Sequence, residues 1–179
     1  MKSEENIEDI DWDYIWKKEL GEKKREKKDW NEIADKFGKW IEKDDYPIKL
    51  LNHVKVSPSD SVMDLGCGEG TITIPLAKKS GHLLAVDKSD KMLDSIQAKM
   101  IDEGLSNIIT LRQDILTLNK DNIGQYDVIV ASRSINSAYN MKEVLSNLND
   151  IARKYVYISF YGPNNRKEEN KALEAIGKK

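Results

Sequence analysis

The apolar residues between positions 60 and 160 come in five short runs, and each run ends at polar residues or glycines. The runs are rich in β-branched residues and do not alternate with polar ones, which is typical of strands buried on both faces. Stretches with apolar residues at helical spacing separate most of these runs. Strands and helices therefore alternate, which predicts a parallel sheet with helices on both faces. The predicted strands are 62–65, 83–87, 108–111, 126–131 and 155–160.

The helical stretches between the predicted strands carry their own start and stop signals. Ser89 is suited to accept a hydrogen bond from the first amides of the second helix, and Gly104 is suited to end that helix. The connection over 115–125 has room for a short helix at most. The predicted helices between strands are 71–79, 90–102 and 140–152.

The N-terminal part of the chain is helical in pattern and dense in charge. Residues 29–43 place aromatic and aliphatic side chains on one helical stripe. A shorter helix is expected over 46–54, because Pro47 suits the first turn of a helix. Residues 17–28 form a basic run broken by glutamates, which predicts a solvated helix face or a mobile arm. Contact with RNA or an acidic partner is the alternative.

Length and charge limit the organisation and the partners. The chain has 179 residues, which suits one domain. We expect residues 1–55 to form a helical arm and cap, and residues 56–179 to form one compact unit. The formal net charge is −2, so no overall basic field favours capture of nucleic acid.

The cysteine and histidine counts exclude several kinds of site. The single cysteine, Cys67, cannot form an intramolecular disulfide or a cysteine zinc cage, and two histidines leave little for a metal site, so no metal is expected. No apolar run approaches the ~20 residues that span a bilayer, and the acidic first ten residues do not resemble a signal peptide. We expect a cytoplasmic protein without a membrane partner.

The strongest chemical signal is the sequence VMDLGCGEG at 62–70, where a predicted strand runs into three glycines and a helix follows. Glycine lets the backbone turn tightly and approach a ligand closely, and a following helix directs its first amides at that ligand. A GxGxG sequence alone is a weak signal. Its place between a strand and a helix favours a ligand-binding loop.

Two further acids stand at the carboxyl ends of the next two strands. Asp87 follows Asp64 by 23 residues, where an acid can accept both hydroxyls of an adenosine ribose. Asp114 follows the third strand, where it can accept from an adenine amino group while the Ile115 amide meets a ring nitrogen. Each acid alone could be a helix cap or turn residue. Three acids at three successive strand ends favour one adenosyl site.

Together these features resemble the class I S-adenosylmethionine-dependent methyltransferases over about residues 29–161. The resemblance implies a Rossmann-like, doubly wound α/β fold with strand order 3-2-1-4-5, an N-terminal helical cap and S-adenosylmethionine as cofactor. It also implies that the glycine loop wraps the methionine part, that Asp87 holds the ribose and that Asp114 reads the adenine amino group.

The same resemblance implies the remaining cofactor contacts. Lys88 and Met92 would lie near the adenine, and Ala131 would border the methyl group. The segment with Trp30 and Phe37 is similar to one that lies over the cofactor in small-molecule methyltransferases. The implied cofactor-binding residues are Trp30, Phe37, Asp64, Gly66, Cys67, Gly68, Gly70, Asp87, Lys88, Met92, Asp114, Ile115 and Ala131.

Two other interpretations of the glycine loop fit the residues less well. The fingerprint of an NAD enzyme wants glycine at position 71, where Thr71 stands, and gives Asp114 no role. A nucleophilic Cys67 would need a base, and no histidine lies near it in the sequence. Cys67 is therefore interpreted as a small loop residue.

The resemblance implies methyl transfer to a small-molecule acceptor. The fourth strand is followed by SRSINS, not by the Asn/Asp-Pro-Pro-Tyr motif of DNA and protein amino-methylating relatives. Arg133 and Tyr139 are the candidate catalytic residues, and a salt bridge is the alternative role for Arg133. Two other functions stay open: an RNA or protein methyltransferase that docks through the basic run, and a non-catalytic subunit that binds the cofactor.

The end of the chain departs from the family pattern. Class I methyltransferases usually add an antiparallel strand pair after the fifth strand, and the residues here suffice for one helix. We therefore expect that this pair is missing. Three explanations stay open: a protein that is minimal by nature, a chain that lacks a natural segment, or a second chain that covers the edge. An uncovered sheet edge favours pairing with another chain, so a homodimer through this edge is one of the expected arrangements.

Overall fold

A computed structural model of the protein describes four stretches of the chain: 10–22, 31–32, 45–136 and 138–160. Most of the helix predicted over 29–43 lies outside these stretches, including Trp30 and Phe37. Asn31 and Glu32 are described and are helical. Residues 161–179 also lie outside the described part, so the prediction that they do not form the usual antiparallel strand pair stays a prediction.

The described strands form one parallel sheet in the order β3-β2-β1-β4-β5, as predicted. Each strand is joined to the next by a crossover, so the carboxyl ends of all five meet at one edge. The strands are β1 (Ser61–Leu65), β2 (His82–Asp87), β3 (Ile108–Arg112), β4 (Tyr126–Ser132) and β5 (Ala152–Ser159).

The helices predicted over 46–54, 71–79, 90–102 and 140–152 are present, with small changes at their ends. Ser89 begins the helix after β2 and accepts a hydrogen bond from the Met92 amide at 3.3 Å. That helix is capped at Glu103 rather than at the predicted Gly104, which follows with a positive φ of 63°. The described helices are α1 (Trp12–Glu22), α2 (Tyr46–His53), α3 (Thr73–Ala77), α4 (Asp90–Asp102), α5 (Lys120–Ile123) and α6 (Met141–Ile151), with a 3-10 turn at Ile115–Thr117.

The core lies in two layers, one on each face of the sheet. Because side chains alternate along a strand, Val62 and Val128 point to one face and Met63 and Ile129 point to the other. The first layer includes side chains of α3 and α4, and α2 packs against it. The second layer includes the buried face of α6. The helices pack on the two faces of the sheet and not on the carboxyl ends of its strands, so a site can form at those ends.

The prediction that every strand is buried on both faces is correct for β1, nearly so for β2 and β4, and wrong for β3 and β5. These two are the outermost strands of the described sheet, and each has a neighbouring strand on one side only. Ile109 and Tyr155 are accordingly 67% and 47% exposed. The pairing of the β5 edge with a second copy stays a prediction.

The fifth strand begins three residues earlier than predicted, because β5 follows α6 without a loop. Its first residues include Arg153 and Lys154, whose charges hid the strand from a hydrophobic pattern. Arg153 Nε lies 3.1 Å from a carboxylate oxygen of Asp127. The same carboxylate accepts from the amide and the hydroxyl of Ser61 at 2.9 Å each. These contacts join β1, β4 and β5 at their amino ends. The hydrogen bonds from Arg153 and Ser61 also hold the pKa of Asp127 well below its usual range.

None of the described helices is long and apolar enough to cross a bilayer.

Candidate active site at the carboxyl edge of the sheet

The glycine loop leaves β1 and turns back on itself before α3. Gly66 and Gly70 have φ angles of +71° and +89°, in the left-handed region that favours glycine. A Cβ on Gly66 would clash with the Cβ of Ser134, in the loop that follows β4. Only glycine therefore allows these two loops to meet at the sheet edge.

Hydrogen bonds to the end of β2 fix the loop. The amides of Gly66 and Cys67 both donate to the carbonyl of Val86, at 2.8 and 3.0 Å. The Gly68 amide donates to a carboxylate oxygen of Asp87 at 3.0 Å. The loop is thus held in place by the strand that carries the ribose-binding acid predicted from the sequence.

Asp87 lies half-buried where the glycine loop and α4 meet. Its second carboxylate oxygen accepts from the Ser89 amide at 2.9 Å. A carboxylate has about four lone-pair sites, so two oxygens engaged once each can still accept from a ligand. The geometry therefore suits Asp87 to receive a pair of hydroxyls.

Asn31 is the site residue that sequence reasoning missed. Its side-chain oxygen accepts from the hydroxyl of Ser89 at 2.7 Å and from the Lys91 amide at 3.4 Å. A hydrogen-bonded chain therefore runs from Asn31 through Ser89 to Asp87 and the glycine loop. The only signal in the sequence was its position beside Trp30, in the segment predicted to cover the cofactor.

Asp64 is 1% exposed at the end of β1 and accepts from the hydroxyl of Thr73 at 2.6 Å. Burial raises the pKa of Asp64 to about 7, against the effect of the Thr73 hydrogen bond, and the charge of Asp87 adds to the rise. Asp64 is thus held near the midpoint of its titration at neutral pH. A cation placed beside it would favour the ionised form.

Cys67 is 7% exposed and belongs to the first core layer. Burial and the neighbouring charges of Asp64 and Asp87 raise the pKa of its thiol far above the usual range. Because the thiolate is the nucleophile, this cysteine is unsuited to attack. The interpretation as a small loop residue agrees with this placement.

The predicted adenine side is an open depression of about 480 Å³ at the ends of β2 and β3, lined by Lys88, Arg112, Gln113 and Asp114. Asp114 is exposed, and one of its oxygens caps the following 3-10 turn through the Leu116 amide at 3.0 Å. Arg112 pairs with Asp90 at 3.1 Å. The structure thus brings Lys88 and Asp114 together on the side of β2 away from β1.

Other predicted residues lie deeper. Met92 and Ala131 are 2% and 0% exposed, and Ala131 belongs to the second core layer. Ile115 is half-buried and packs against that layer. Ser132, the next residue of β4, is the first that is partly exposed at the edge.

The two candidate catalytic residues lie in the loop after β4 but differ in setting. Arg133 has a positive φ of 55°, an uncommon conformation for a residue with a side chain. Its guanidinium carbon lies 3.6 Å from the ring centre of Tyr46, in the geometry of a cation–π contact. The Tyr46 hydroxyl in turn lies 2.9 Å from that of Ser132. Tyr139 is 53% exposed at the far end of the loop.

Helix α1 closes over the end of this loop. The indole nitrogen of Trp16 donates to the carbonyl of Ala138 at 2.6 Å. The carboxylate of Asp13 accepts from the Lys142 amide, in the first turn of α6, at 3.2 Å. The N-terminal segment therefore contacts the sheet edge on the side of β4, and Asn31 contacts it on the side of β2.

Within the described residues, no group of three or more histidine, cysteine, aspartate or glutamate side chains could hold a metal ion.

Comparison with known proteins gives a family match and partial relatives. The sequence matches the family described as "Methyltransferase domain" over residues 57–178. An uncharacterised protein from Haemophilus influenzae is 31% identical over 133 residues, which are 74% of this chain and 48% of that protein. A probable ribosomal RNA small subunit methyltransferase A from Methanosphaera stadtmanae is 28% identical over 83 residues, which are 46% of this chain and 30% of that protein. The chain spans about half or less of the length of these relatives.

Among solved structures, phosphoethanolamine N-methyltransferase 1 from Haemonchus contortus, in complex with phosphoethanolamine and S-adenosylhomocysteine, is similar with a TM-score of 0.61. Its identity is 18%, and the match covers 81% of this chain and 32% of that chain. The likeness supports the fold seen here.

Burial of Asp64 predicts a specific pH dependence of stability. Its pKa is about 7 in the folded chain and near 3.8 in the unfolded chain, so the folded state holds this proton more tightly. The free energy of unfolding should therefore fall as pH rises from 3.8 towards 7. Asp64→Asn stays neutral and keeps an oxygen for Thr73, so it should match the wild type in acid and be more stable at alkaline pH. Thermal melts across pH test this, at roughly 2–4 °C per kcal/mol for a chain of this size. Parallel pH profiles for the two proteins would show that Asp64 does not titrate in this range.

Proposed function

Because the chain belongs to the class I family of S-adenosylmethionine-dependent methyltransferases, we propose that it transfers the methyl group of S-adenosylmethionine to a small-molecule acceptor. The observation that carries this proposal is the position of Asp87. Its carboxylate lies at the end of β2, bonded to the Gly68 amide of the glycine loop and to the Ser89 amide of α4.

The residues at the edge fit an adenosyl cofactor in shape and chemistry. Asp87 has acceptor capacity for the two ribose hydroxyls, and the open depression beside Asp114 suits the adenine. The glycine loop allows close approach of the methionine part, and Asp64 would be ionised by its ammonium group. The bound cofactor supplies a methyl group already activated on a sulfonium, so the chain contributes mainly binding and orientation.

The described contacts support a small acceptor. Helix α1 is hydrogen-bonded to Ala138 and Lys142, so it lies beside the loop after β4, where the acceptor would enter. In this proposal residues 1–55 act as a cap over the sheet domain, and a cap that excludes water favours transfer to the acceptor.

An RNA acceptor is the second candidate. The relative from Methanosphaera stadtmanae is a probable ribosomal RNA methyltransferase, and the basic run at 17–28 offers charges for phosphates. Binding through these charges would weaken steeply with salt. A third candidate, a non-catalytic subunit, would bind the cofactor without turnover.

The test is a methylation assay with isotope-labelled S-adenosylmethionine on a pool of metabolites and, separately, on total RNA, read by mass spectrometry. We expect label in a small molecule and none in RNA. Labelled RNA, together with salt-sensitive RNA binding that is lost on deleting residues 1–28, would show that the acceptor is RNA and not a small molecule. Tight binding of S-adenosylhomocysteine with no labelled product in either pool would favour the non-catalytic subunit.

Asp87→Ala should weaken binding of S-adenosylhomocysteine. Hydrogen bonds to a charged group contribute about 1.5–3 kcal/mol, so a loss of at least ~10-fold in affinity is expected. Titration calorimetry measures the change, and circular dichroism checks that the fold survives. The matched control is Asp94→Ala, which removes an exposed acid from α4. An unchanged dissociation constant for Asp87→Ala would make Asp87 a turn residue only.

Asn31→Ala should loosen the contact between the N-terminal segment and the cofactor site. The variant loses the acceptor for the Ser89 hydroxyl and the Lys91 amide, and a net loss of about 1 kcal/mol corresponds to roughly 5-fold in affinity for S-adenosylhomocysteine. All four tryptophans lie within residues 12–40, so ligand-induced tryptophan fluorescence reports on the same segment. Asn31→Asp keeps the accepting oxygen and should restore both readouts, and the exposed neighbour gives the control Glu32→Ala. Equal affinities of Asn31→Ala and Glu32→Ala for S-adenosylhomocysteine would show that the Asn31 contact does not contribute to cofactor binding.

A further inference from the structure

Three side-chain oxygens in the described part of the chain are buried without a hydrogen-bond partner: Ser80 Oγ, Ser134 Oγ and Asn136 Oδ1. Two of them lie within three residues of each other, in the loop that follows β4. A buried polar atom without a partner lowers stability, because its lost hydrogen bonds to water are not replaced. Two such atoms in one loop at the candidate site point to a ligand that forms the missing hydrogen bonds.

The chemistry of Asn136 limits what that ligand can be. Its amide nitrogen donates to the carbonyl of Arg133 at 3.2 Å, which fixes the other end of the amide as the oxygen. Asn136 Oδ1 can therefore only accept a hydrogen bond, whereas the Ser134 hydroxyl can donate or accept. The ligand must present an N–H or an O–H group to this loop.

The loop touches the candidate site and is held at both ends. A Cβ on Gly66 would lie 3.1 Å from Ser134 Oγ, so this hydroxyl lies directly against the glycine loop. The Arg133 amide donates to the carbonyl of Ser159 at 3.2 Å, and the carbonyl of Ala138 accepts from Trp16. Because both ends are bonded to other elements, a shift of the loop towards other partners would break these contacts.

The proposed cofactor contacts leave this pair for the acceptor. In the proposed site Asp87 and Asp114 match the ribose and the adenine, and Asp64 matches the ammonium group. The two oxygens in the loop after β4 have no counterpart among these groups. Arg133 adds the positive charge of its guanidinium group to the same loop, stacked on the Tyr46 ring.

The geometry points to Ser134 Oγ and Asn136 Oδ1 as hydrogen-bonding partners of the methyl acceptor, and to an amine or hydroxyl compound as that acceptor. This inference rests on the proposed function. The acceptor donates its N–H or O–H to Asn136 and so directs its lone pair at the methyl group. That lone pair forms the new N–C or O–C bond while the S–C bond breaks with its electron pair to sulfur, and the proton of the acceptor leaves to water.

The test compares Ser134→Ala with Ser80→Ala. Ser80 carries the third orphaned oxygen but lies in the turn before β2, at the amino edge of the sheet. Each variant removes a buried hydroxyl without a partner, so the melting temperature should stay the same or rise in both. Affinity for S-adenosylhomocysteine should stay within about 2-fold, a change below ~0.5 kcal/mol. Only Ser134→Ala should lower kcat/KM for the compound labelled in the metabolite pool, by about 10-fold or more.

Several results would overturn the inference. A lower melting temperature for Ser134→Ala alone would give its hydroxyl a structural role, and weaker binding of S-adenosylhomocysteine would assign it to the cofactor. Equal kcat/KM values for the two variants would remove Ser134 from the acceptor site. Label on nitrogen or oxygen of the product supports the inference, whereas label on carbon or sulfur contradicts it and leaves the proposed function intact. Absence of any labelled product would contradict both.

Discussion

The parallel pairing of β1 with β2 is the constraint on which the site depends. Leu65 at the end of β1 lies opposite Val86, so both strands reach the sheet edge at the same level. The carbonyl of Val86 can then accept from two successive loop amides, and Asp87 can accept from a third at Gly68. The glycine loop and the acid are therefore positioned before a ligand binds, which reduces the ordering cost of binding.

The buried and half-buried carboxylates at the two ends of the strands are in opposite settings. At the amino edge Asp127 is satisfied by Ser61 and Arg153, and its carboxylate joins three strands. At the carboxyl edge Asp64 is buried with a raised pKa, Arg133 has a positive φ, and the loop after β4 keeps two orphaned oxygens. Strain and incomplete pairing of this kind lower stability and are retained where a ligand makes use of them. The amino edge therefore stabilises the fold, and the carboxyl edge holds the groups that we propose for binding.

The sequence predicted those parts of the molecule that depend on local pattern. The runs that became β1, β2 and β4 are continuous and apolar because they are buried on both faces, and Asp87 could be placed because the strand before it was clear. The start of β5 was missed because Arg153 and Lys154 pair with acids instead of facing the core. Asn31 was missed because its partner Ser89 is 58 residues away, and the contact of Trp16 with Ala138 spans 122 residues. Contacts at such separations follow from the packed fold and leave no pattern in neighbouring residues.

We propose that the carboxyl ends of β1, β2 and β3 bind an adenosyl cofactor of methyl transfer. Isothermal titration of the whole chain with S-adenosylhomocysteine and, separately, with NAD tests this proposal most directly. Both ligands carry an adenosine ribose for Asp87, but only S-adenosylhomocysteine carries an amino-acid part for the glycine loop. We expect saturable binding of S-adenosylhomocysteine and no heat of binding with NAD. Binding of NAD, or no binding of S-adenosylhomocysteine, would contradict it.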